Sequence, residues 1–385
     1  MQSNVTLEQQ LKKQKLNPPF RADHVGSLLR PPALQQARIA FQQGQISKAD
    51  LAIAEDTAIR EIVKIQQDAG LQGISDGEQR RTFFHVDFLE QISGVKSELA
   101  KYEIKFRGGN KDVTLVPPVL TVTGKLQRTH GVATGDFKYL QSVVAPGFVP
   151  KVCIPSPTML HFRGGRKGID EKAYPDLNEF FSDLAQVFQQ ELAELYALGC
   201  RYVHLDDTNL AYLCDPSHRE RARAQGEDPN ALPALYAWLI SESVKLVPAD
   251  MTIGLHLCRG NHRSAWAAEG GYEAVADVMF NQCNVDTFFL EYDDARSGDF
   301  SPLRFVPKGK SVVLGLICSK TPVLESKDAI KRRIEEATQY IALDQLCLSP
   351  QCGFASTFEG NDLSFAEQAA KLRLVVELAE EIWPQ

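Results

Sequence analysis

The stretch NEFFSDLAQVFQQELAELYALGCRYVHLDD, residues 178–207, contains a helix pattern followed directly by a strand pattern. In its first part, apolar residues recur at steps of three and four, the spacing of one face of an α-helix, and Gly199 stands where a helix C-cap is expected. In its last part, a short and mostly apolar run breaks into Asp206 and Asp207. The stretch therefore predicts a helix over 178–199 that leads into a buried β-strand with carboxylates at its end.

The same alternation recurs along the whole chain, where short apolar runs end in polar residues and helix-like segments separate them. We identify eight such runs, at residues 20–27, 71–78, 152–157, 202–207, 252–258, 286–292, 311–319 and 345–352. Further helices are expected over residues 55–70, 231–247, 326–343 and 364–383. Strands that alternate with helices in this way predict a parallel sheet closed into a (β/α)8 TIM barrel, an α/β fold.

The domain organisation predicted by this pattern is simple. We expect one catalytic barrel over residues 20–385, preceded by an N-terminal extension over residues 1–19. Residues 94–147 do not fit the alternation, and the runs 112–116 and 120–124 indicate a β-hairpin inserted after the second strand unit. An open, doubly wound sheet is the competing architecture, but no glycine-rich phosphate loop follows the first strand.

Composition excludes several classes of function. Acidic residues outnumber basic ones by 49 to 42, for a net charge of −7, so a nucleic-acid partner is not expected. No apolar stretch reaches the roughly 18 residues of a membrane helix, and the polar N-terminus lacks a signal-peptide pattern. Eight cysteines in 385 residues are too sparse for a disulfide scaffold. We therefore expect a cytoplasmic protein with reduced thiols, which acts on small molecules and has no membrane partner.

A metal-ligand pattern lies at the predicted strand ends. His256 and Cys258 are separated by one residue, so on a strand both side chains point to the same face and make half of a zinc site. Glu291 closes the apolar run FFLE, and Cys352 ends the eighth run. Together the four residues supply one nitrogen, one oxygen and two sulfurs, a set suited to Zn²⁺. Packed thiols for the cysteines and a salt bridge for Glu291 are the alternatives.

Longer motifs around these residues resemble the catalytic C-terminal domain of cobalamin-independent methionine synthase and, more closely, its short single-domain relatives. The motifs are ADHVGSLLRP (22–31), ISDGEQRR (74–81), HLDDTNLA (204–211), HLC (256–258), FFLEYDD (288–294) and SPQCGFAS (349–356). They follow the family's order over nearly the whole chain. The resemblance implies a barrel shared with uroporphyrinogen decarboxylase, and a zinc ion bound by His256, Cys258, Glu291 and Cys352.

The resemblance also implies an activity. It is an S-methyltransferase that activates homocysteine, or a similar thiol, as a zinc thiolate and methylates it from 5-methyltetrahydrofolate to give methionine. By the same resemblance, Glu78 and Asp206 bind the substrate amine, and Ser27 lies beside the amino acid. A helix N-cap is the alternative for Asp206, and a turn or cap role is the alternative for Ser27.

One departure from the family concerns the methyl donor. The family synthases carry a histidine just past the seventh strand, thought to protonate the folate leaving nitrogen, whereas GLICSKT (315–321) contains none. Lys320 is a candidate acid, with a surface lysine near a helix start as the alternative. The missing histidine keeps two other functions open. One is a thiol alkyltransferase that uses a different methyl or alkyl donor, such as an epoxide, and the other is a non-catalytic barrel that binds zinc and a thiol.

Overall fold

A computed structural model describes residues 18–100, 103–108 and 113–384, so the expected N-terminal extension over residues 1–19 lies almost entirely outside the described residues. The strands are β1 Gly73–Ile74, β2 Ser93–Leu99, β3 Ile104–Phe106, β4 Val113–Leu115, β5 Pro118–Gln127, β6 Val149–Pro150, β7 Val152–Pro155, β8 Tyr202–Asp207, β9 Thr252–Leu257, β10 Thr287–Glu291, β11 Ser311–Ile317 and β12 Leu346–Pro350. The α-helices are α1 Pro32–Gln42, α2 Lys48–Asp68, α3 Val86–Leu89, α4 Thr134–Val143, α5 Leu177–Ala197, α6 Asn209–Tyr212, α7 Pro216–Ala224, α8 Leu232–Val244, α9 Glu273–Gln282, α10 Lys327–Ala337 and α11 Phe365–Ile382.

Strands β7 to β12 form one parallel sheet in chain order, with α-helices between successive strands except β10 and β11, which are joined by the short 3-10 helices Ala295–Ser297 and Ser301–Phe305. This arrangement confirms the α/β fold with a parallel sheet that the alternation predicts, because parallel neighbours in chain order need a crossover connection at each step. Among the described residues, the ladder does not continue through the first two predicted strands to close the sheet. The main apolar core lies between this sheet and the surrounding helices. Within the described ranges, no helix has both the length and the apolar character needed to cross a membrane.

The first two predicted strands are much shorter than expected. Over 20–27 the chain makes a single parallel bridge, from Ala22 to Leu348 of β12, and over 71–78 only β1 forms, paired with β6. Side chains take the places of strand partners. Lys151 Nζ donates to the carbonyl of His24, and the side-chain amide of Gln66 bonds both the N–H and the carbonyl of Ser75 at 2.9 Å. Hydrophobic periodicity does not predict such side-chain hydrogen bonds to the backbone.

The inserted segment also pairs differently from the expected hairpin. The run 120–124 belongs to β5, which pairs antiparallel with β2, while β4 pairs antiparallel with β3. The expected partner run 112–116 begins outside the described residues, at Asp112, and its described part lies in β4. The insertion is therefore two nested antiparallel pairs rather than one hairpin between the two runs.

The predicted helices all form, with shifted boundaries. The largest shift is at α2, which begins at Lys48 rather than at residue 55. There Ser47 and Asp50 form a reciprocal capping box, which satisfies the free N–H groups of the first turn. A second capping box, between Ser364 and Glu367, starts α11 close to its predicted position.

The barrel interior is layered. A small apolar cluster that includes Phe20, Tyr202, Phe289, Val313 and Cys347 is formed by the amino-terminal and middle parts of the strands. Further along β8, alternation places His204 and Asp206 on the same face as Tyr202. The polar side chains therefore collect toward the carboxyl ends of the strands, where functional groups of barrel enzymes are found.

Candidate metal centre

Four side chains with metal-ligating atoms converge at the carboxyl ends of three strands. His256 lies on β9, Cys258 follows that strand directly, Glu291 ends β10 and Cys352 lies two residues beyond β12. Their ligand atoms all lie within 4.8 Å of one another, and all four residues are buried. The structure thus brings together the whole set that the sequence indicates.

Strand register explains this convergence. β9 and β10 pair in parallel with His256 beside Phe289 and Leu257 beside Leu290, so the next step places Cys258 beside Glu291. The N–H of Cys258 donates to the carbonyl of Asp207 at 2.7 Å, which extends the β8–β9 ladder as far as this ligand. Both side chains of the His-x-Cys pair consequently face the barrel interior.

The donor set fits a zinc ion. Cys258 Sγ and Cys352 Sγ are 3.4 Å apart, and two sulfurs at the usual Zn–S distance of about 2.3 Å from one ion can be separated by up to ~4.6 Å. His256 Nδ1 donates to the carbonyl of Phe289 at 3.2 Å, which leaves Nε2 without a hydrogen-bond partner among the described residues. Such an outer hydrogen bond sets the tautomer and orientation that a metal-binding imidazole needs.

The pKa values of the two thiols are shifted in opposite directions. Their mutual hydrogen bond holds the pKa of Cys352 well below its usual value, with help from His256, whereas this bond and burial raise the pKa of Cys258. Burial lowers the pKa of His256, but Cys352 and Asp206 outweigh it and raise that pKa to about 9. The protein alone therefore favours a thiolate beside an imidazolium. Metal binding would release a proton from His256 and another from Cys258.

The carboxylate of Glu291 is held at both oxygens. Oε1 accepts a hydrogen bond from the backbone N–H of Arg259 at 2.7 Å, and Oε2 accepts one from the guanidinium of Arg296 at 3.0 Å. Burial alone would raise the pKa of Glu291, but the positive charges of Lys320 and Arg296 bring it below its usual value. Glu291 is therefore ionised at neutral pH, as a metal ligand must be.

Two further carboxyl groups lie beside this cluster, and each has a buried oxygen without a hydrogen-bond partner in the described part of the chain: Glu78 Oε2 and Asp206 Oδ1. Burial raises the pKa of Glu78 to about 7, and the pKa of Asp206 well above its usual value. Asp206 is the register partner of His256 on the neighbouring strand β9, and the negative charge of Cys352 contributes to raising the pKa of both carboxyl groups. The capping role considered for Asp206 belongs instead to Asp207, which accepts the N–H of Leu210 at 2.9 Å.

The backbone at Glu78 is strained, with a φ of 56° at a residue that is not glycine. This left-handed conformation costs on the order of 1–3 kcal/mol and persists only where the surroundings impose it, most often at functional sites. Here the N–H of Glu78 donates to Asp76 at 2.9 Å, and Arg30 donates to its carbonyl at 2.8 Å. These bonds hold the backbone of Glu78 in the strained conformation.

Ser27 lies against the loop that carries Cys352. A Cβ added to Gly353 would lie only 1.9 Å from Ser27 Oγ, and the N–H of Phe354 donates to the carbonyl of Ser27 at 2.9 Å. The serine is 4% exposed. Its backbone thus has a structural role in the turn, while its hydroxyl lies beside the residue that follows Cys352.

Lys320 is not the surface lysine considered as its alternative. It is 6% exposed, and its Nζ has no hydrogen-bond partner among the residues that the structure describes. Burial lowers its pKa, but Glu291 and Cys352 help to raise it above the usual value, so the side chain is an ammonium at neutral pH. The preceding residue, Ser319, donates to the carbonyl of Gly353 at 2.9 Å, which holds the lysine beside the Cys352 loop.

Sequence reasoning missed Arg296 as part of this site. Its guanidinium contacts Glu291, Asp293 and Asp294, which are all in the segment that ends β10. A signal was present in the sequence, since three acidic residues lie within the five positions that precede this arginine.

Fold and site together define an α/β fold of barrel type with a sulfur-rich cluster of candidate metal ligands at the carboxyl ends of its strands. Residues 20–381 match the family described as the catalytic domain of cobalamin-independent synthase. The chain therefore belongs to the cobalamin-independent methionine synthase catalytic-domain family, which confirms the resemblance drawn from its motifs.

Individual relatives agree with this membership. YxjH, an uncharacterised protein of Bacillus subtilis, is 45% identical over 99% of this chain and 99% of its own length. A methionine synthase from Pyrococcus abyssi is 26% identical over 86% of this chain and 84% of its own. A crystal structure of the putative vitamin-B12 independent methionine synthase from Listeria monocytogenes has a TM-score of 0.77 and 39% identity, covering 96% of this chain and 99% of the other.

Proposed function

We propose that this chain is a zinc-dependent S-methyltransferase that methylates homocysteine, or a thiol of similar structure, from 5-methyltetrahydrofolate to give methionine. The observation that carries the proposal is the cluster of His256, Cys258, Glu291 and Cys352 beside two buried carboxyl groups with unpartnered oxygens. Membership of the methionine synthase family supports the same class of reaction.

The four clustered side chains would hold the zinc ion. When bound there, zinc would lower the pKa of a coordinated substrate thiol and so present the sulfur as a thiolate at neutral pH. The ligand set itself carries three negative charges, from Cys258, Cys352 and Glu291, against the two positive charges of the ion. This excess of negative charge keeps a neighbouring sulfur electron-rich, whereas the neutral histidines of hydrolytic sites favour acidification of water.

Glu78 and Asp206 are suited to bind the amino group of the substrate. A buried carboxyl oxygen without a hydrogen-bond partner is costly in free energy, and an ammonium group supplies the missing hydrogen bonds together with a positive charge. In Glu78 the free oxygen is Oε2, while Oε1 lies 3.9 Å from the guanidinium of Arg81. The strained backbone at Glu78 fixes the direction of its side chain before substrate arrives. With the amine held by these two carboxylates and the amino acid beside Ser27, the substrate sulfur is oriented toward the metal cluster.

The high pKa of Glu78 makes amine binding pH-dependent. Because this pKa is about 7, the carboxylate that attracts an ammonium predominates only above that pH. We expect kcat/KM for the thiol substrate to fall by up to about tenfold per unit as the pH is lowered below 7. The variant Glu78→Gln, which keeps the size of the side chain and removes its charge, should have a lower kcat/KM and lack this acidic limb.

A matched control for this profile is Glu55→Gln. Burial also raises the pKa of Glu55, but its carboxylate is paired with Arg38 at 3.1 Å and lies outside the metal cluster. We expect this control to keep the acidic limb of the wild type. An unchanged limb in Glu78→Gln would assign the titration to another group and remove Glu78 from the amine site.

Lys320 is the best-placed proton donor for the leaving group. It is a buried ammonium beside Glu291 and Cys352, and among the described residues its Nζ has no partner to compete for its protons. A general acid at this position would protonate the departing nitrogen of a folate and would replace the histidine that the family carries past the seventh strand.

The missing histidine favours one further candidate function, a thiol alkyltransferase that uses another donor. An ammonium such as Lys320 can equally protonate the alkoxide that forms when an epoxide opens, so the site does not by itself choose the donor. Thiol consumption by purified protein should be measured with 5-methyltetrahydrofolate, with other methyl donors and with epoxides. Methionine formed with the folate supports the first proposal, whereas turnover with only another donor supports the second.

A non-catalytic barrel that binds zinc and a thiol is the third function to be tested. Zinc-edge absorption spectroscopy with and without homocysteine distinguishes a closed site from one that accepts a sulfur ligand. An added sulfur ligand together with turnover excludes the non-catalytic function. No turnover with any donor would support it.

A further inference from the structure

We propose that Arg296 is the positioning residue for the metal ligand Glu291, and that the inserted segment holds Arg296 in place through Trp266. The inference rests on the zinc site proposed above and concerns a contact network that extends from β3 of the insertion to that site. Arg296 itself contributes no ligand atom. Its role is to fix one of the four ligands before and during metal binding.

The contacts of Arg296 are directed at the acidic segment after β10. One guanidinium nitrogen donates to Glu291 Oε2 at 3.0 Å and to Asp293 Oδ1 at 2.7 Å, and the other terminal nitrogen donates to Asp294. The side chain of Arg296 is 5% exposed and that of Glu291 is fully buried. Because buried carboxylates repel each other and are costly when unpaired, the guanidinium that bonds all three of these carboxylates holds Glu291 at its place.

The orientation of Glu291 follows from two bonds on opposite oxygens. Oε1 accepts its bond from the backbone N–H of Arg259, so that bond does not depend on the side chain of any neighbour. The bond to Oε2 is made by the side chain of Arg296 alone. Loss of that bond frees the carboxylate to rotate about its remaining contact. Outer partners of metal ligands typically contribute about 10–100-fold to metal affinity, and Arg296 has the geometry of such a partner.

Trp266 connects this arginine to the insertion. The guanidinium of Arg296 lies 5.0 Å from the centre of the Trp266 ring, a cation–π arrangement. The backbone of Trp266 exchanges two hydrogen bonds with Arg107, both of 2.7 Å, directly after strand β3. A Cβ on Gly108 would lie 1.6 Å from the same ring, so the glycine is required for the insertion to lie this close to Trp266.

The first test is the zinc affinity of Arg296→Met, measured by competition with a chromophoric chelator. We expect affinity about 10–100-fold weaker than that of the wild type. Arg296→Lys should recover only part of this loss, because an ammonium restores the charge but not the planar fork. Arg304→Met is the matched control, since Arg304 forms an exposed ion pair with Glu273, bonds the carbonyl of Ser301 and lies over the ring of Phe305, all outside the cluster, and it should bind zinc as the wild type does.

The second test addresses the insertion. Gly108→Ala should weaken zinc binding in the same direction, because the new methyl group displaces Trp266 or the strand end. Gly147→Ala is its control: Gly147 has a similar φ of 96° but nothing within 4 Å of an added Cβ, so it introduces backbone strain without a clash.

The outcomes separate this inference from the proposed function. A wild-type protein that binds no zinc would contradict the proposed function itself. Wild-type zinc affinity in Arg296→Met, alongside a zinc-binding wild type, would overturn the role of Arg296 and leave the proposed function standing. Wild-type affinity in Gly108→Ala would overturn the link to the insertion. Circular dichroism of each metal-free variant shows whether a loss of affinity reflects unfolding, and a folded Arg296→Lys with reduced affinity supports the positioning role.

Discussion

Replacing Cys258 with serine is expected to remove both the bound zinc and the methyl transfer. The serine hydroxyl stays protonated where the cysteine is a thiolate, and zinc in a sulfur-rich site requires the anionic donor. We expect zinc content to fall from about one equivalent to near zero after dialysis, and activity to fall by more than the ~100-fold upper range for loss of an outer partner. Metal analysis and a methionine-formation assay on the same preparation provide the measurement.

The control for this variant is Cys214→Ser. Cys214 is also a buried free thiol, but it lies outside the cluster and donates to the carbonyl of Leu210 at 3.6 Å, a bond that a serine hydroxyl can keep. We expect this variant to retain zinc and activity. Activity that persists in metal-free Cys258→Ser would refute the proposed chemistry, because no other four-residue cluster of ligating side chains occurs in the described ranges.

Replacing Lys320 with methionine is expected to reduce turnover with 5-methyltetrahydrofolate by about 10²–10⁴-fold, the usual contribution of a general acid. The reason is that a folate nitrogen leaves as a poor anion unless it is protonated. Zinc content should remain unchanged, because Lys320 supplies no ligand atom. The negative charges of Glu291 and Cys352 outweigh the desolvation of the Lys320 ammonium and raise its pKa, so we expect the variant to be less stable in thermal unfolding than the wild type.

A methyl donor whose leaving group needs no proton tests whether the loss of turnover in Lys320→Met reflects proton transfer. A sulfonium compound releases a neutral sulfide, so its reaction with the thiol should survive in Lys320→Met to within a few-fold. Lys327→Met, which removes an exposed lysine paired with Glu377 and Glu381, controls for loss of a positive charge outside the site. Equal loss with the folate and the sulfonium would assign Lys320 a positioning or binding role instead of proton transfer.

Much of the site could be predicted from the sequence because its clustered side chains lie on strands or directly after them. Alternation at period two is a local rule, so the spacing of His256 and Cys258 was enough to place both on one face. Glu291 and Cys352 end separate apolar runs, and the carboxyl ends of all parallel strands meet at one edge of a barrel. Their convergence within 4.8 Å therefore follows from strand order and needs no side-chain detail.

Other features had no local signature. Whether Lys320 is a surface lysine or a buried ammonium depends on how the loop after β11 packs against the Cys352 loop. The proposed amine binding depends on one oxygen each of Glu78 and Asp206. These oxygens are unpartnered because the surrounding described residues place no hydrogen-bond donor beside them. The pairings of β2 with β5 and of β3 with β4 were likewise not predicted, because the hydrophobic pattern indicates where a strand lies but not which strand it pairs with.

The amino-acid sequence by itself determined the α/β fold, the family and which four side chains cluster, because hydrophobic periodicity, the family motifs and the residues at strand ends are all encoded within short stretches of neighbouring residues. Only the tertiary structure decided the tautomer of His256, the ionisation of Glu291 and the bridge from Arg107 through Trp266 to Arg296. These properties are set by contacts between segments far apart in the chain. Burial, hydrogen-bond partners and neighbouring charge exist only once those segments are folded together.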